Sequence, residues 1–136
     1  MSEQENTKLI QGIYAAFGRG DVPTILNALA DHFEWHHHGP PDILPWARSR
    51  STRREAEEFF KVFNETLDVL AFEPREYVAQ GDKVIALGYF RARVKSTGRT
   101  FEEHWAMEWT VRNGKVVQYR AYDDTAAMVA AFRKER

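Results

Sequence analysis

A β-hairpin is encoded at residues 100–122, TFEEHWAMEWTVRNGKVVQYRAY. Large apolar residues recur at every second position, so Trp105, Met107 and Trp109 share one face of a strand. An Asn-Gly pair follows at positions 113–114, and this dipeptide favours the two-residue turn that joins antiparallel strands. The stretch therefore predicts an antiparallel hairpin whose aromatic face is turned inward.

The same period of two continues upstream of the hairpin. Residues 68–80 and 83–95 read as two further strands, joined by a turn at 81–82 and connected to the hairpin through the glycine-containing segment 96–98. A flat strand of about thirteen residues would be about 43 Å long, which exceeds the diameter of a domain of this size. The sheet must therefore coil, and Gly88 is the natural point for a bend.

The rest of the chain is predominantly helical by its apolar spacing. Thr52 and Glu55 fit a capping box, which marks the start of a helix. Prolines at 40, 41 and 45 predict an irregular segment at 39–50, which we interpret as a loop over a pocket mouth with Leu44 and Trp46 as lid side chains. The remaining predicted elements are helices at 7–18, 21–30, 52–67 and 125–133 and a strand at 33–38.

Length and composition predict a single domain that spans residues 1–136. The 19 basic and 20 acidic residues are interspersed, which argues against a nucleic-acid binder and against a polybasic membrane surface. The absence of cysteine excludes disulfides and thiolate metal sites. The polar N-terminal stretch lacks the apolar core of a signal peptide, and no apolar run is long enough to span a membrane, so we expect a cytoplasmic protein.

Aromatic residues are abundant, with nine Phe, five Tyr and four Trp. In a small domain such a surplus lines either a ligand cavity or a filled core, and the sequence leaves both open. The Tyr14 side chain fits core packing as well as it fits a hydroxyl that donates into a pocket. The residues expected to line the pocket are Tyr14, Phe33, Trp35, Phe60, Phe63, Trp105, Met107, Trp109 and Tyr119.

Candidate acid/base chemistry lies in the histidine run at 36–38 and in a late aspartate. Alternation places His37 on the inner face with the aromatic residues and its two neighbours on the outer face. We predict that neutral His37 removes a proton next to a carbonyl and that Asp123 orients the imidazole or returns the proton. The alternative is structural: His37 bonds a backbone carbonyl and Asp123 caps the last helix. A register error of one residue would substitute His36 and Asp124.

The histidine run also invites a metal interpretation. His36 and His38 project from one face, but only Glu34 offers a third ligand there, and that spacing is not diagnostic. We therefore expect neither a metal nor another cofactor.

Four arginines and Glu103 are expected to be solvated or to form ion pairs. The arginines at 48, 50, 53 and 54 favour a solvated loop over an anion site. Glu103 shares a face with Trp105 and reaches toward the pocket rim, where we expect it to pair with Arg99 or Arg93.

Several stretches carry a resemblance to a known family. They are YAAFGRGDV at 14–22, EWHHHGPP at 34–41, EWTVRNGKVV at 108–117 and YRAYDDTAAM at 119–128. With the order of the elements, they resemble the SnoaL-like and ketosteroid-isomerase-like branch of the nuclear transport factor 2 superfamily. The resemblance implies an α+β, cone-shaped, cystatin-like fold in which a curved antiparallel sheet wraps a long helix and leaves a deep pocket. It also implies a homodimer formed through the outer face of the sheet.

The resemblance does not carry over the family's catalytic residues. The base of the ketosteroid isomerases falls on His37, their buried acid on Met107, and their tyrosine on Ile13, next to Tyr14. The aspartate of the polyketide cyclases falls on Ala121, two residues before Asp123. Steroid isomerisation is therefore not implied.

The sequence favours a small cofactor-independent enzyme of the SnoaL-like type. Such an enzyme would act on an apolar carbonyl compound by proton transfer, as in isomerisation or cyclisation. The alternatives are a non-catalytic module that binds an apolar small molecule and a dimeric accessory domain that uses the outer sheet face.

Overall fold

A computed structural model describes residues 2–133 of the 136-residue chain. The elements are α1 (Glu3–Gly18), α2 (Val22–Asn27), β1 (Leu29–His37), β2 (Ser49–Arg50), α3 (Arg53–Thr66), β3 (Leu67–Gln80), β4 (Lys83–Val94), β5 (Thr100–Arg112), β6 (Lys115–Tyr122) and α4 (Thr125–Phe132). Within the described residues, no helix combines the length and the apolar character needed to cross a membrane.

The strands form one curved, open, six-stranded sheet in the order β2-β1-β6-β5-β4-β3. Strands β3 to β6 make the predicted antiparallel meander, and β1 lies parallel to β6. The β5–β6 turn has positive φ at both Asn113 and Gly114, as the Asn-Gly pair predicts. The predicted α+β fold, with a curved sheet packed against helices, is confirmed.

The bend of the sheet lies where Gly88 is predicted to allow it. Gly88 pairs with Pro74, and the β3–β4 register shifts between Pro74 and Glu76. A Cβ atom at Gly88 would lie 2.2 Å from the Trp105 ring and 2.5 Å from the Glu73 carbonyl oxygen. The Trp105 ring therefore occupies the space that a side chain at position 88 would fill, which only glycine permits.

The helices cover the concave face of this sheet. Helix α3 begins at the predicted capping box, in which the Thr52 hydroxyl accepts from the backbone N–H of Glu55 at 3.1 Å. Its buried positions include Ala56 and Phe59, and α1 packs beside it against β3 and β4. Helix α4 closes one end of the sheet against β5 and β4. The aromatic core thus lies between the sheet and the α1–α3 layer.

Two predictions about the first third of the chain are wrong in detail. Helix α2 ends at Asn27 rather than near residue 30, because Leu29 already pairs with Val116 in the sheet. The 39–50 segment is not wholly irregular, because it ends in the short strand β2 on the edge of β1. Its Leu44 and Trp46 side chains are buried, and Trp46 lies in the wall of a cavity.

Candidate active site

A narrow cavity lies between the sheet and the helices. It offers about 70 Å³ to the centres of water molecules, which is room for several waters. Its wall is almost entirely aromatic and aliphatic, with His37, Asp123 and tyrosine hydroxyls as its polar groups. The lining residues are Ile13, Tyr14, Phe17, Ile25, Trp35, His37, Trp46, Phe59, Phe60, Phe63, Phe72, Phe90, Met107, Trp109, Tyr119, Asp123 and Met128.

The cavity adjoins a wider groove between the helices and β3. The groove offers about 740 Å³ to water centres and shares Tyr14, Phe60 and Phe72 with the cavity wall. The groove therefore lies against the β3 side of the cavity, whereas the 39–50 segment contributes Trp46 to the cavity wall.

Most of the residues expected to line the pocket do lie in the cavity wall. These are Tyr14, Trp35, Phe60, Phe63, Met107, Trp109 and Tyr119. Phe33 and Trp105 do not. Phe33 is buried further along β1, beside a separate outer depression. Trp105 stacks on Phe72, with ring centres 5.1 Å apart, and fills the space over Gly88. Alternation correctly predicts that both side chains lie on the inner face of the sheet. The cavity borders only part of that face, and Phe33 and Trp105 lie outside this part.

His37, at the end of β1, points into the cavity, and its neighbours do not. Its ring stacks on Phe59 at 4.3 Å between centres, and its Nε2 lies 3.5 Å from the Tyr119 hydroxyl. Its Nδ1 is buried without a partner among residues 2–133. Burial, reinforced by the charge of nearby Arg50, lowers the pKa of His37 to about 3. The imidazole is therefore neutral at physiological pH and a weak proton acceptor.

Neither flanking histidine lines the cavity: His36 is on the outer face of β1, and His38 follows the end of that strand. His36 Nδ1 lies 2.7 Å from the Ser49 hydroxyl, and its Nε2 is 3.6 Å from Glu34. His38 Nδ1 donates to the Ala121 carbonyl oxygen at 2.9 Å. The described part of the chain contains no group of three or more histidine, aspartate or glutamate side chains placed to hold a metal ion.

Two tyrosine hydroxyls converge on a sulfur atom inside the cavity. Tyr14, from α1, and Tyr119, from β6, donate to the Met107 sulfur at 3.0 and 3.3 Å. The Trp109 indole N–H in turn donates to the Tyr14 oxygen at 3.0 Å. Burial raises the pKa of both phenols above the ordinary value, so both keep their protons. A thioether is a weak acceptor, and a ligand oxygen at this point would accept both hydrogen bonds more strongly.

A pair of carboxyl groups forms the other polar part of the wall. Asp123 lines the cavity just beyond β6, and Glu103 is buried behind it on β5. Glu103 Oε1 accepts from the backbone N–H of Asp124 at 2.7 Å, and Oε2 has no donor among the described residues. Burial and the adjacent Asp123 raise the pKa of Glu103 to about 9, and burial raises the pKa of Asp123. A proton on Glu103, donated to Asp123, satisfies both groups at neutral pH.

This carboxyl pair corrects the expected partners of Glu103. Arg93 pairs with Asp68 at 3.1 Å, and Arg99 donates to the Arg133 carbonyl oxygen at 3.2 Å. Both arginines belong to the hairpin end, whereas Glu103 points inward under α4. The sequence did indicate that Glu103 points inward, because it lies two residues before Trp105 on the same strand. It did not indicate the partner, because Asp123 lies beyond the end of β6.

His37 and Asp123 both line the cavity, but no hydrogen bond joins them. The polar neighbour of the imidazole is Tyr119, and that of Asp123 is Glu103. Asp123 therefore does not orient the His37 ring, as the sequence had suggested. The cap of α4 is Asp124, whose side chain accepts from the Ala127 N–H at 3.1 Å.

The arginines before α3 do not form a single solvated cluster. Arg48 pairs with Glu58 on the surface, and Arg53 pairs with Asp31 at 3.2 Å. Arg50 is buried, and its guanidinium lies 5.3 Å from the centre of the Phe59 ring. The expectation of a solvated loop is thus wrong for Arg50, because β2 turns this side chain inward beside Trp35.

Comparison with known proteins gives a consistent family. A family model described as a SnoaL-like domain matches residues 10–119. A nuclear transport factor 2-like protein from Burkholderia xenovorans LB400 is 36% identical, with 98% of this chain and 99% of that chain covered and a TM-score of 0.88. A protein of the same type and unknown function from Burkholderia pseudomallei K96243 is 25% identical, with 97% and 98% covered and a TM-score of 0.87.

A further solved structure is that of TerC co-crystallised with polyporic acid. It is 25% identical, with 94% of this chain and 98% of that chain covered and a TM-score of 0.81. No curated protein matches the chain.

Proposed function

The chain belongs to the SnoaL-like domain family, and on that premise we propose that it catalyses cofactor-independent proton transfer on an apolar carbonyl compound. The reaction class is isomerisation, cyclisation or a related shift of a proton. The observation that carries this proposal is the pair of phenol donors, Tyr14 and Tyr119, which meet at the Met107 sulfur on an apolar wall that also holds Asp123.

The phenol pair is suited to stabilise an enolate oxygen. A substrate carbonyl oxygen that displaces the Met107 sulfur as acceptor receives hydrogen bonds from both Tyr14 and Tyr119. These bonds strengthen as negative charge develops on the oxygen, and the dry aromatic surroundings increase the effect. The Trp109 N–H on the Tyr14 oxygen makes that phenol a stronger donor. Methionine at position 107 is flexible enough to move aside.

We assign the proton transfer itself to Asp123. Burial raises the pKa of Asp123, and a carboxylate with a higher pKa is a stronger base. The C–H bond next to the carbonyl breaks, the proton goes to Asp123, and the electron pair moves to the carbonyl oxygen. Return of the same proton to another carbon gives the isomer. The proton on Glu103 keeps Asp123 ionised until the substrate is bound.

His37 is given a supporting role, which differs from the expectation drawn from sequence. An imidazole with its pKa lowered to about 3 accepts a proton poorly. Its stacking on Phe59 fixes the ring, and its Nε2 lies next to the hydroxyl of Tyr119. We therefore assign His37 as a positioning residue for Tyr119.

Proton transfer is testable without the natural substrate. The protein is incubated in D₂O with apolar cyclic ketones, for which we choose 1-tetralone, 2-tetralone and cyclohexanone, and deuterium entry next to the carbonyl is followed by NMR. For at least one of the three ketones, we expect the wild-type protein to catalyse faster exchange than the Asp123→Asn variant does. Equal rates for the two proteins on all three compounds would contradict the proposal.

The alternative function is binding without chemistry. It is favoured by the nearly uniform aromatic wall, and TerC, a member of the same fold at 25% identity, was co-crystallised with polyporic acid. Binding of the ketones to the wild-type protein with no catalysed exchange would decide for this alternative.

A further inference from the structure

Arg50 is a buried charge with incomplete hydrogen bonding. It lies on the two-residue strand β2, and its side chain is 2% exposed. Nη1 donates to the Trp46 carbonyl oxygen at 2.9 Å and lies 3.5 Å from that of Arg48. Nε and Nη2 are fully buried and have no acceptor among residues 2–133. The guanidinium therefore retains two unused donor nitrogens, which is the pair that a planar anion accepts from.

The neighbouring arginines show that this arrangement is specific to Arg50. Arg48 has the carboxylate of Glu58, and Arg53 has that of Asp31. Arg50, the most buried of the three, pairs with no carboxylate among the described residues and is held by carbonyl oxygens and the Phe59 ring. A guanidinium cannot lose its charge at physiological pH. The carboxylates of Glu58 and Glu55 are near enough to favour this charge, but neither pairs with the guanidinium, and a buried charge without a direct partner is disfavoured.

The guanidinium lies one side chain away from the cavity. Its hydrogen-bond partner Trp46, its cross-strand partner Trp35 and the Phe59 ring that it contacts all line the cavity. The indole N–H of Trp35 and the Nδ1 of His37 are also buried without partners. These nitrogen atoms without hydrogen-bond partners thus belong to β1 and β2. The two phenols and Asp123 belong instead to α1 and β6 or to the residue just after β6.

We propose that Arg50 binds an acidic group of the molecule that occupies the cavity, so that the ligand is an apolar, ring-containing anion with a carboxylate or acidic enol oxygen. Arg50 lies behind the cavity wall, so the acidic group would lie between Trp46 and Phe59, where its oxygens would accept from Nε and Nη2 of Arg50. This inference rests on the proposed function only in that both place a small apolar ligand in the same cavity.

The wild-type protein tests the charge preference directly. Binding of 2-naphthoate and of 2-naphthamide, which share a ring system and differ in charge at pH 7.5, is measured by calorimetry. Charge-assisted hydrogen bonds to an arginine predict that naphthoate binds at least about tenfold more tightly. Equal affinities, or a preference for the amide, would overturn the proposal, and would leave a buried water as the partner of Arg50.

Variants assign the preference to this residue. Arg50→Met should remove the preference while 2-naphthamide still binds, and Arg50→Lys should retain part of it. Arg48→Met, which removes an exposed neighbouring charge, should behave as wild type. A preference that survives in folded Arg50→Met would overturn the proposal. If Arg50→Met does not fold, the test rests on the ratio of the two affinities in the wild-type protein and in Arg50→Lys. A ratio as large in Arg50→Lys as in the wild type would count against a bidentate contact with the guanidinium.

The outcomes separate this inference from the proposed function. Preference for naphthoate without catalysed deuterium exchange supports the anion site and contradicts catalysis. Exchange without any charge preference supports catalysis and overturns the anion site. Failure of the wild-type protein to bind either naphthalene compound overturns the anion site and also argues against a small-molecule cavity.

Discussion

Two polar corners of one aromatic cavity respond to burial in opposite ways. The imidazole corner is His37 with Arg50 behind it, and the carboxyl corner is Asp123 with Glu103 behind it. Burial disfavours a charge at both, so it lowers the pKa of His37 to about 3 and raises that of Glu103 to about 9. Their nearest neighbours reinforce the contrast, because Arg50 opposes a positive imidazole and Asp123 opposes a second carboxylate.

The contrast decides which corner is able to move a proton. A weakly basic imidazole gains a proton only at high energetic cost, whereas a carboxylate whose pKa is raised toward neutrality accepts one and returns it. Sequence reasoning favours the histidine, since an ordinary imidazole titrates near neutral pH. Burial instead lowers the pKa of His37 and raises that of Asp123, and the proposed mechanism rests on these two opposite directions.

The largest effects are expected when the polar group of each corner is substituted separately. We expect Asp123→Asn to slow deuterium exchange by about 10²- to 10⁴-fold, the usual contribution of a general base, and His37→Gln to slow it by about tenfold or less. Asp42→Asn, at an exposed carboxylate, serves as the control. A larger loss from His37→Gln than from Asp123→Asn, in proteins of equal stability, would reverse the assignment.

The phenol pair is predicted to matter almost as much. Tyr119→Phe removes one of the donors at the Met107 sulfur and should reduce the exchange rate about 10²-fold, which is typical for the loss of one oxyanion donor. Exchange rates for Tyr14→Phe and for Tyr122→Phe complete the test, because the exposed Tyr122 hydroxyl bonds Glu108 and lies outside the cavity. Equal effects at positions 119 and 122 would contradict the role of the pair.

Acid should destabilise the protein through the imidazole corner. The unfolded chain protonates His37 below about pH 6.5, and the folded chain does not until about pH 3, so stability falls as pH decreases through this window. The expected loss from this group is about 2 kcal/mol between pH 7 and 5. Urea unfolding of His37→Leu should lack this loss, and that of His32→Leu, at an exposed position, should retain it. An equal slope in all three proteins would disprove the shift.

Base should destabilise the protein through the carboxyl corner. Folded Glu103 holds its proton until about pH 9, and in the unfolded chain it ionises near pH 4.5, so stability falls as pH rises between these values. Glu103→Gln keeps the shape and a donor toward Asp123. It should flatten the decline between pH 5 and 8 by more than about 1.4 kcal/mol, the equivalent of one pKa unit. A decline in the variant as steep as in the wild type would show that Glu103 is not the group responsible.

Local patterns in the sequence were sufficient for the fold and for the inner face. The Asn-Gly turn, the alternation of Trp105 and Trp109 and the bend at Gly88 each act over a few residues, and the structure has them as predicted. The same alternation predicts that His37, and not His36, points inward.

The groups that make the site polar depend on distant parts of the chain. Tyr14 and Tyr119 meet only because α1 lies across the sheet and β6 lies beside β5, which no local period encodes. Asp123 lies two residues after Ala121, so alternation predicts it on the inner face, and it does line the cavity just beyond β6, but its partner Glu103 comes from β5. Arg50 belongs to a strand of only two residues, too short to show any period, and so its burial was not predictable.

The protonation state of His37 tests the division between the two corners most directly. The ¹⁵N NMR signals of its imidazole, assigned by their loss in His37→Leu, are followed from pH 8 to pH 5. We expect a neutral ring throughout, with the pKa of His37 far below the ordinary 6.5. A ring that becomes protonated with a pKa near 6.5 would contradict it and would restore His37 as the base.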